Sequence, residues 1–175
     1  DCFSGASNGY IYTRIANPTI RAFEKNIAEL ENGYDGIATS SGMSAITSVY
    51  FALLGAGSHI VSTASVYGLA RGVLEQDFTR FGVEASFVNT SNPEEIINAI
   101  KPNTKVLYVE TPSNPTMEIT DIQKCAEIAK KHNLILVVDN TFSTPVLQKP
   151  LDLGADVVLH SITKFINGHA DIVGG

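Results

Sequence analysis

The residue with the clearest chemical potential is Lys164, which ends the segment Ser161-Ile162-Thr163-Lys164 directly after an apolar run. A second apolar run, residues 134–138, ends at Asp139. A lysine amine can bond to an aldehyde, and a carboxylate at the tip of a buried strand can stabilise a cation. We expect Lys164 to lie in an apolar pocket that favours its neutral, reactive form. The ordinary alternatives are a solvated lysine and an aspartate in a turn.

Small and hydroxyl-bearing residues form two clusters that could bind an anion. Residues 39–43 precede a predicted helix, whose first N–H groups are free and positively polarised, and Gly42 and Met43 lie at that start. The ordinary alternative is a serine that caps the helix. Ser161 and Thr163 form the second cluster, so a phosphate could be held from two sides.

Together these groups match the needs of pyridoxal phosphate, which requires an amine for its aldehyde, an acid for its ring nitrogen and donors for its phosphate. Asp139-Asn140-Thr141 places three polar residues after an apolar strand, which favours a site that includes Thr141. The sequence therefore predicts a pyridoxal phosphate site, with Lys164 and Asp139 on the two sides of the ring.

Four further polar residues are candidates, each with a structural alternative. Tyr67 could stack on the cofactor ring and act as an acid or base, or pack in the core. Tyr12 and Arg14 lie in an irregular leader and could bind phosphate, or merely anchor the leader. Asn114, in a proline-bounded loop, could contact the oxygen of the ring or belong to a plain turn.

Composition excludes several classes of protein. The 175 residues are 44% apolar and 17% charged, with a net charge of −6 and no Lys/Arg-rich run, so binding to nucleic acid or an acidic membrane is not expected. Two cysteines without a CxxC motif fit a reducing, cytoplasmic setting. We find no metal-ligand cluster, no phosphate loop of nucleotide-binding domains and no G-x-S-x-G motif of hydrolases.

Periodicity predicts helices that alternate with short apolar strands, which is typical of an α/β domain with a mostly parallel sheet covered by helices. Predicted strands are 59–63, 84–89, 106–110, 134–139 and 156–160. Predicted helices begin at Pro18, near Gly42, at Gly68 and at Pro93, and a last one to His132 follows a capping box of Thr120 and Gln123.

The motifs resemble the Cys/Met-metabolism family of pyridoxal phosphate enzymes, whose large domain has the aspartate aminotransferase fold, fold type I. The matching stretches are Tyr10–Pro18, Ser40–Ala45, Tyr67-Gly68, Glu110–Pro115, Val137–Thr141, Pro145 and Gly154–Gly175. That family includes cystathionine γ-synthase, cystathionine γ- and β-lyases, methionine γ-lyase and O-acetylhomoserine sulfhydrylase. Methionine γ-lyases often carry a cysteine where this chain has Leu69, which disfavours that activity.

The resemblance implies a role for each residue. Lys164 would bond to the aldehyde, Asp139 would pair with the pyridine nitrogen, and Tyr67 would stack on the ring and assist proton transfer. The phosphate would be bound by Gly42, Met43, Ser161 and Thr163, with Tyr12 and Arg14 reaching the site of an adjacent subunit in a dimer of dimers. Thr141 and Asn114 would complete the site.

Family members are about twice this length, with a C-terminal domain that binds the substrate carboxylate through an arginine. We therefore expect residues 1–40 to form an arm and first helix at a subunit contact, and residues 41–175 to form the large domain. The expected reaction, in methionine and cysteine metabolism, is γ-replacement on an O-acylhomoserine or γ-elimination, with methionine γ-lyase or cystathionine γ/β-lyase as alternatives. A non-catalytic interaction module is the alternative from another class.

Overall fold

A computed structural model describes residues 2–175, which divide into two compact units, one that ends at Ala38 and one that runs Thr39–Gly175. In the first unit, α1 (Pro18–Leu30) begins after Asn17, whose side chain accepts hydrogen bonds from two N–H groups of the first turn, as predicted. The predicted domain roles of residues 1–40 and 41–175 stay predictions.

The second unit alternates helices and strands. Its helices are α2 (Gly42–Leu53), α3 (Gly68–Gly72), α4 (Pro93–Ala99), α5 (Ile122–His132) and α6 (Thr144–Leu147). Its strands are β1 (His59–Thr63), β2 (Glu84–Val88), β3 (Thr104–Glu110), β4 (Ile135–Asp139) and β5 (Val157–Leu159). The predicted helix over 68–80 is more complex than expected, because α3 continues as a π-helical turn, Val73–Asp77, and a 3₁₀ turn, Phe78–Phe81.

All five strands are parallel, in the order β2-β1-β3-β4-β5, which confirms the predicted α/β class. The central strands are mostly buried because both faces of the sheet are covered. Ile60, Tyr108 and Val137 pack on one face, with α2 and the helix that starts with α3. The alternate residues of the same strands point to the opposite side of the sheet, where they pack with α4 and α5.

The predicted capping box of Thr120 and Gln123 is wrong. Asp121 caps α5, because its carboxylate accepts a hydrogen bond from the N–H group of Lys124. Thr120 is buried instead, and its hydroxyl hydrogen-bonds that of Thr90 at 2.7 Å. Over residues 2–175, no helix is both long enough and apolar enough to cross a membrane.

Parallel strands bring their carboxyl ends to one edge of the sheet. Glu110 and Asp139 end β3 and β4 and lie side by side in the register, and the segment that starts at His160 leaves β5 at the same edge. In open α/β sheets ligands bind outside this edge. The topology therefore places the polar residues that end the strands in one neighbourhood.

Candidate active site

A cavity of about 240 Å³ lies at the carboxyl edge of the sheet. Nine residues singled out from the sequence line it: Gly42, Met43, Tyr67, Asn114, Asp139, Thr141, Ser161, Thr163 and Lys164. Ser41, Ile46, Glu110, Pro112 and Phe142 complete the wall. The structure thus brings together side chains from five loops that are distant in sequence.

Asp139 is buried and held by three hydrogen bonds. Its Oδ1 accepts from the backbone N–H of Thr141 at 3.0 Å and from the Thr141 hydroxyl at 2.5 Å, and its Oδ2 accepts from the Tyr108 hydroxyl at 3.3 Å. Burial raises the pKa of Asp139, and the bonds from Thr141 oppose that rise. A cation placed in the cavity would be stabilised by this carboxylate.

Thr141 connects that acid to the segment that carries the lysine. While its hydroxyl donates to Asp139, the same oxygen accepts a hydrogen bond from the N–H of Ser161 at 2.9 Å. The ends of β4 and β5 are thereby held in one arrangement, so Thr141 fixes the relative positions of two predicted site segments.

The two predicted anion-binding clusters are in direct contact. A Cβ added at Gly42 would lie 2.6 Å from the Cβ and 2.7 Å from the Oγ of Ser161, so only glycine permits this approach. Ser41 caps α2 through Ser44, which was the ordinary alternative, while the N–H groups of the first turn have no partner within the helix. A cradle for an anion is therefore formed by the start of α2 and Ser161.

The far side of that cradle is supported by Gly174 and Gly175. The Thr163 hydroxyl accepts from the N–H of Gly174 at 3.1 Å, while Gly175 and Thr39 exchange two backbone hydrogen bonds of 2.7 and 3.1 Å. A Cβ on Gly175 would collide with the carbonyl oxygen of Ser41. Close backbone packing, which these glycines allow, thus aligns the segments that hold the anion cradle.

Lys164 lines the same cavity, but the expectation of an enclosed, apolar setting is wrong for this chain, because the residue is exposed. Met43 and Phe142 contribute apolar atoms to the wall. The amine therefore has access both to the cavity and to solvent. A covalently bound ligand or a further polypeptide segment is what would exclude water from it.

The other predicted residues fall into two groups. Tyr67 and Asn114 line the cavity, and the Tyr67 side chain is 41% exposed. Tyr12 and Arg14 belong to the first unit, where the guanidinium of Arg14 lies 5.2 Å from the centre of the Tyr12 ring. Their predicted contact with a phosphate of another subunit stays a prediction.

Two buried residues were given no role in the site from the sequence, although Glu110 was expected at the polar end of a strand. Tyr108, in the middle of an apolar strand, donates to Asp139, and burial next to that carboxylate raises the pKa of its phenol. Glu110 is 7% exposed, and burial and the neighbouring Asp139 raise its pKa to about 7. An acidic residue that closes an apolar strand next to the strand of Asp139 was the signal that could have identified Glu110.

These groups fit pyridoxal phosphate. The cavity offers an amine, a buried carboxylate for a ring cation and a glycine-lined cradle for a dianion. Within residues 2–175, no cluster of three or more His, Cys, Asp or Glu could bind a metal ion.

Comparison with known proteins agrees with this arrangement. A family model described as Cys/Met metabolism PLP-dependent enzyme matches residues 1–175. The chain is 51% identical to an L-methionine gamma-lyase of Fusobacterium nucleatum over 95% of its length and 42% of the relative's. It is 52% identical to a cystathionine gamma-lyase of Bacillus subtilis over 98% of its length and 45% of the relative's.

Among solved structures, a cystathionine gamma-lyase from Lactobacillus plantarum complexed with L-serine superposes with a TM-score of 0.93 and 43% identity, over 97% of this chain and 44% of that one. This chain thus spans less than half the length of the relatives that it matches. The predicted fold type I architecture and pyridoxal phosphate dependence are confirmed at the level of the family. The chain belongs to the Cys/Met metabolism family of PLP-dependent enzymes.

Proposed function

We propose that this chain forms the cofactor-binding part of an enzyme that cleaves a carbon–sulfur bond in a sulfur-containing amino acid. The observation that carries the proposal is the convergence of Lys164, Asp139 and the Gly42–Ser161 contact on one cavity. The names of the two curated relatives, both lyases acting on sulfur amino acids, support elimination as the reaction.

The residues of the cavity would divide the work of binding. Asp139 would hold a positive charge on the ring nitrogen of the cofactor. The N–H groups of Gly42 and Met43, with the hydroxyls of Ser161 and Thr163, would hold its phosphate. Thr141 would keep Asp139 in place through the hydrogen bonds described above.

Bound pyridoxal phosphate draws electrons from the bonds of the substrate's α-carbon. Lys164 would hold the cofactor covalently through Nζ, and the same nitrogen, when not bonded to the cofactor, could accept and return a proton. The Tyr67 hydroxyl, in the same cavity wall, is a second group that can hold a proton near the substrate. Asn114 would contact the oxygen of the ring.

The second candidate reaction is γ-replacement on an O-acylated homoserine. Leu69 stands where methionine γ-lyases often carry a cysteine and is 60% exposed in the first turn after Tyr67, which disfavours that lyase and leaves replacement open. Elimination from cystathionine is compatible with the same residue. Products formed from methionine, from cystathionine and from O-acetylhomoserine with sulfide would separate these reactions.

The covalent role of Lys164 is testable without turnover. After borohydride reduction, mass spectrometry of the wild-type protein should find the mass of the reduced cofactor on the peptide that contains Lys164. Lys164→Ala should lose that mass and all turnover, whereas Lys124→Ala, at an exposed position of α5, should keep both. Cofactor mass on another lysine, or turnover by Lys164→Ala, would contradict the assignment.

The proposal includes a second copy of this chain as a partner. Tyr12 and Arg14 would bind the phosphate in a neighbouring subunit of a dimer of dimers located in the cytoplasm. The supporting feature is the pairing of an exposed phenol and a guanidinium in a segment outside the unit that holds the cavity. Arg14→Ala should weaken cofactor binding, and a mixture with Lys164→Ala subunits should regain part of the activity that each variant lacks.

A further inference from the structure

Glu110 is a buried acid in the cavity wall for which the proposed chemistry has no use. It is the last residue of β3, it pairs with Asp139 in the register, and it is 7% exposed. A second carboxylate beside Asp139 costs free energy, because like charges in a buried site repel. Its presence therefore needs a physical reason other than the binding of the ring nitrogen.

The contacts of its side chain supply that reason. The Glu110 Oε2 accepts a hydrogen bond of 2.7 Å from the backbone N–H of Tyr67, and the backbone N–H of Asn114 is near enough to lower the pKa of the carboxyl. Tyr67 precedes α3, and its own side chain does not cap that helix. The acceptor for the Tyr67 N–H thus comes from another strand, and Tyr67 and Asn114 both line the cavity.

The backbone of Glu110 is also held in place. The N–H of Glu110 donates to the Thr63 hydroxyl at 3.3 Å, and that hydroxyl is 2.9 Å from the hydroxyl of Thr90 in a buried chain. Glu110 therefore joins a rigid part of the sheet to two loops of the cavity.

The same two loops are joined a second time, away from the cavity wall. Glu118, which is exposed, accepts a hydrogen bond of 2.8 Å from the hydroxyl of Ser65. This pair connects the segment before Tyr67 to the segment after Asn114, but it does not line the cavity. It provides a matched control for the contacts of Glu110.

We propose that Glu110 is a positioning residue of the cofactor site, whose carboxylate sets the places of the Tyr67 ring and the Asn114 side chain by holding their backbone N–H groups. The inference rests on the proposed function, since it assigns those two side chains to the walls of a pyridoxal phosphate site.

Two substitutions separate the effect of the length of the Glu110 side chain from the effect of its charge. Glu110→Asp keeps the charge but withdraws the carboxylate by one methylene, whereas Glu110→Gln keeps the reach and one acceptor oxygen but removes the charge. If Glu110 acts by position, Asp should be the worse replacement. Glu110→Asp should raise the Kd of pyridoxal phosphate about tenfold, the equivalent of one lost hydrogen bond to a charged acceptor.

The readouts are cofactor affinity and the circular dichroism of the bound cofactor's absorption band, which reports the arrangement of groups around the ring. The affinity is measured by titrating the cofactor-free full-length protein, and the dichroism is measured after the cofactor has bound. Glu110→Asp should change the band, Glu110→Gln should change it less, and Glu118→Gln should leave the Kd within about twofold.

A triple variant tests whether the effect passes through the two loops. In a Tyr67→Ala, Asn114→Ala background, Glu110→Asp should change the Kd by less than about twofold, because the side chains that it positions are absent. A full tenfold effect in that background would overturn the proposal. So would an equal or larger effect of Glu110→Gln, which would assign Glu110 an electrostatic role towards Asp139. Failure of the wild-type protein to bind pyridoxal phosphate would instead refute the proposed function.

Discussion

The two edges of the parallel sheet bury polar side chains in opposite ways. At the amino edge, His59 has both ring nitrogens satisfied by protein hydroxyls, with Thr104 Oγ1 at 2.7 Å from Nδ1 and Ser86 Oγ at 2.9 Å from Nε2. At the carboxyl edge, Glu110 and Asp139 lie side by side, and burial raises the pKa of both. Both edges hydrogen-bond these groups within the chain, but only the carboxyl edge places two carboxyl groups side by side next to a cavity.

This difference separates stability from binding. A buried polar group that is hydrogen-bonded within the chain costs little and fixes the fold, whereas a buried carboxylate at a cavity costs free energy that a bound cation can offset. We therefore expect substitutions at the amino edge to change unfolding, and substitutions at the carboxyl edge to change binding and catalysis. Four experiments can break or sharpen that contrast.

The largest effect is expected at Asp139. Asp139→Asn keeps the shape of the side chain but removes the charge that would pair with a ring cation, so kcat/KM should fall by about 10² to 10³-fold. The melting temperature should be unchanged or higher, because a desolvated carboxylate is lost. Asp156→Asn is the control for the loss of an aspartate charge at the amino edge, because Asp156 accepts a hydrogen bond from the N–H of Leu136 at the start of β4. Wild-type turnover by Asp139→Asn would contradict the division between edges.

His59 should show the reverse pattern. His59→Leu removes one hydrogen bond from each of the Thr104 and Ser86 hydroxyls. It leaves Thr104 with the Lys101 N–H alone, so urea denaturation should show a loss of about 2–4 kcal/mol in the free energy of unfolding. Ser86→Ala, which removes one partner only, should cost about 1 kcal/mol. The Kd of pyridoxal phosphate should not change in the folded fraction. A weakened cofactor site in His59→Leu would show that the two edges are coupled.

The two edges should also respond to pH in opposite directions. Glu110 has a pKa of about 7 in the folded chain against an ordinary value of 4.5, so between these values the folded state binds the extra proton and stability falls as pH rises. Burial lowers the pKa of His59 from 6.5, aided by Lys101 and opposed by Glu84. The stability that His59 contributes is present above pH 6.5 and is lost as the pH falls through the lower pKa that His59 has in the folded chain.

Glu110→Gln isolates the first of these effects. In the cofactor-free protein, its free energy of unfolding relative to wild type should rise by up to about 3 kcal/mol between pH 4.5 and 7. The raised pKa of Asp139 acts in the same direction and remains in the variant, so only the difference between the two proteins is informative. A difference that stays constant with pH would show that Glu110 is not titrating in this range.

Much of the fold could be predicted because local signals and tertiary packing agree. The apolar runs that became β1, β3 and β4 are buried on both faces, and Asn17-Pro18 and Asn92-Pro93 cap helices as expected. Parallel pairing then requires strand ends to meet, so Asp139 and the Ser161–Lys164 segment could be assigned to one site before their geometry was known.

What the sequence could not specify depends on contacts between distant segments. Thr120 looks like a helix cap, but the hydroxyl of Thr90 competes for it and Asp121 takes the role. Glu110 could be placed at the polar end of a strand, but its role could not be predicted, because its hydrogen-bonded partner Tyr67 lies far away in the chain. The exposure of Lys164 likewise depends on what surrounds its loop in space and not on its neighbours in sequence.

The smallest effect among these tests is expected at the contact between Gly42 and Ser161, which belongs to the carboxyl edge. Gly42→Ala would place a methyl group 2.6 Å from the Ser161 Cβ, so the start of α2 and Ser161 must move apart and the anion cradle must widen. The overpacking should cost about 1–3 kcal/mol of stability, and the displaced N–H groups should raise the Kd of pyridoxal phosphate about tenfold. Excess inorganic phosphate should compete less well for the variant.

Gly72→Ala is the matched control. Gly72 is helical, with φ −57° and ψ −41°, and an added Cβ would meet nothing within 4 Å. Alanine there should leave cofactor affinity unchanged and add up to about 1 kcal/mol of stability, because it restricts the unfolded chain and favours the helix. If both substitutions had the same effect on affinity, the close approach at Gly42 would be a packing feature of α2, and the cradle would not depend on it.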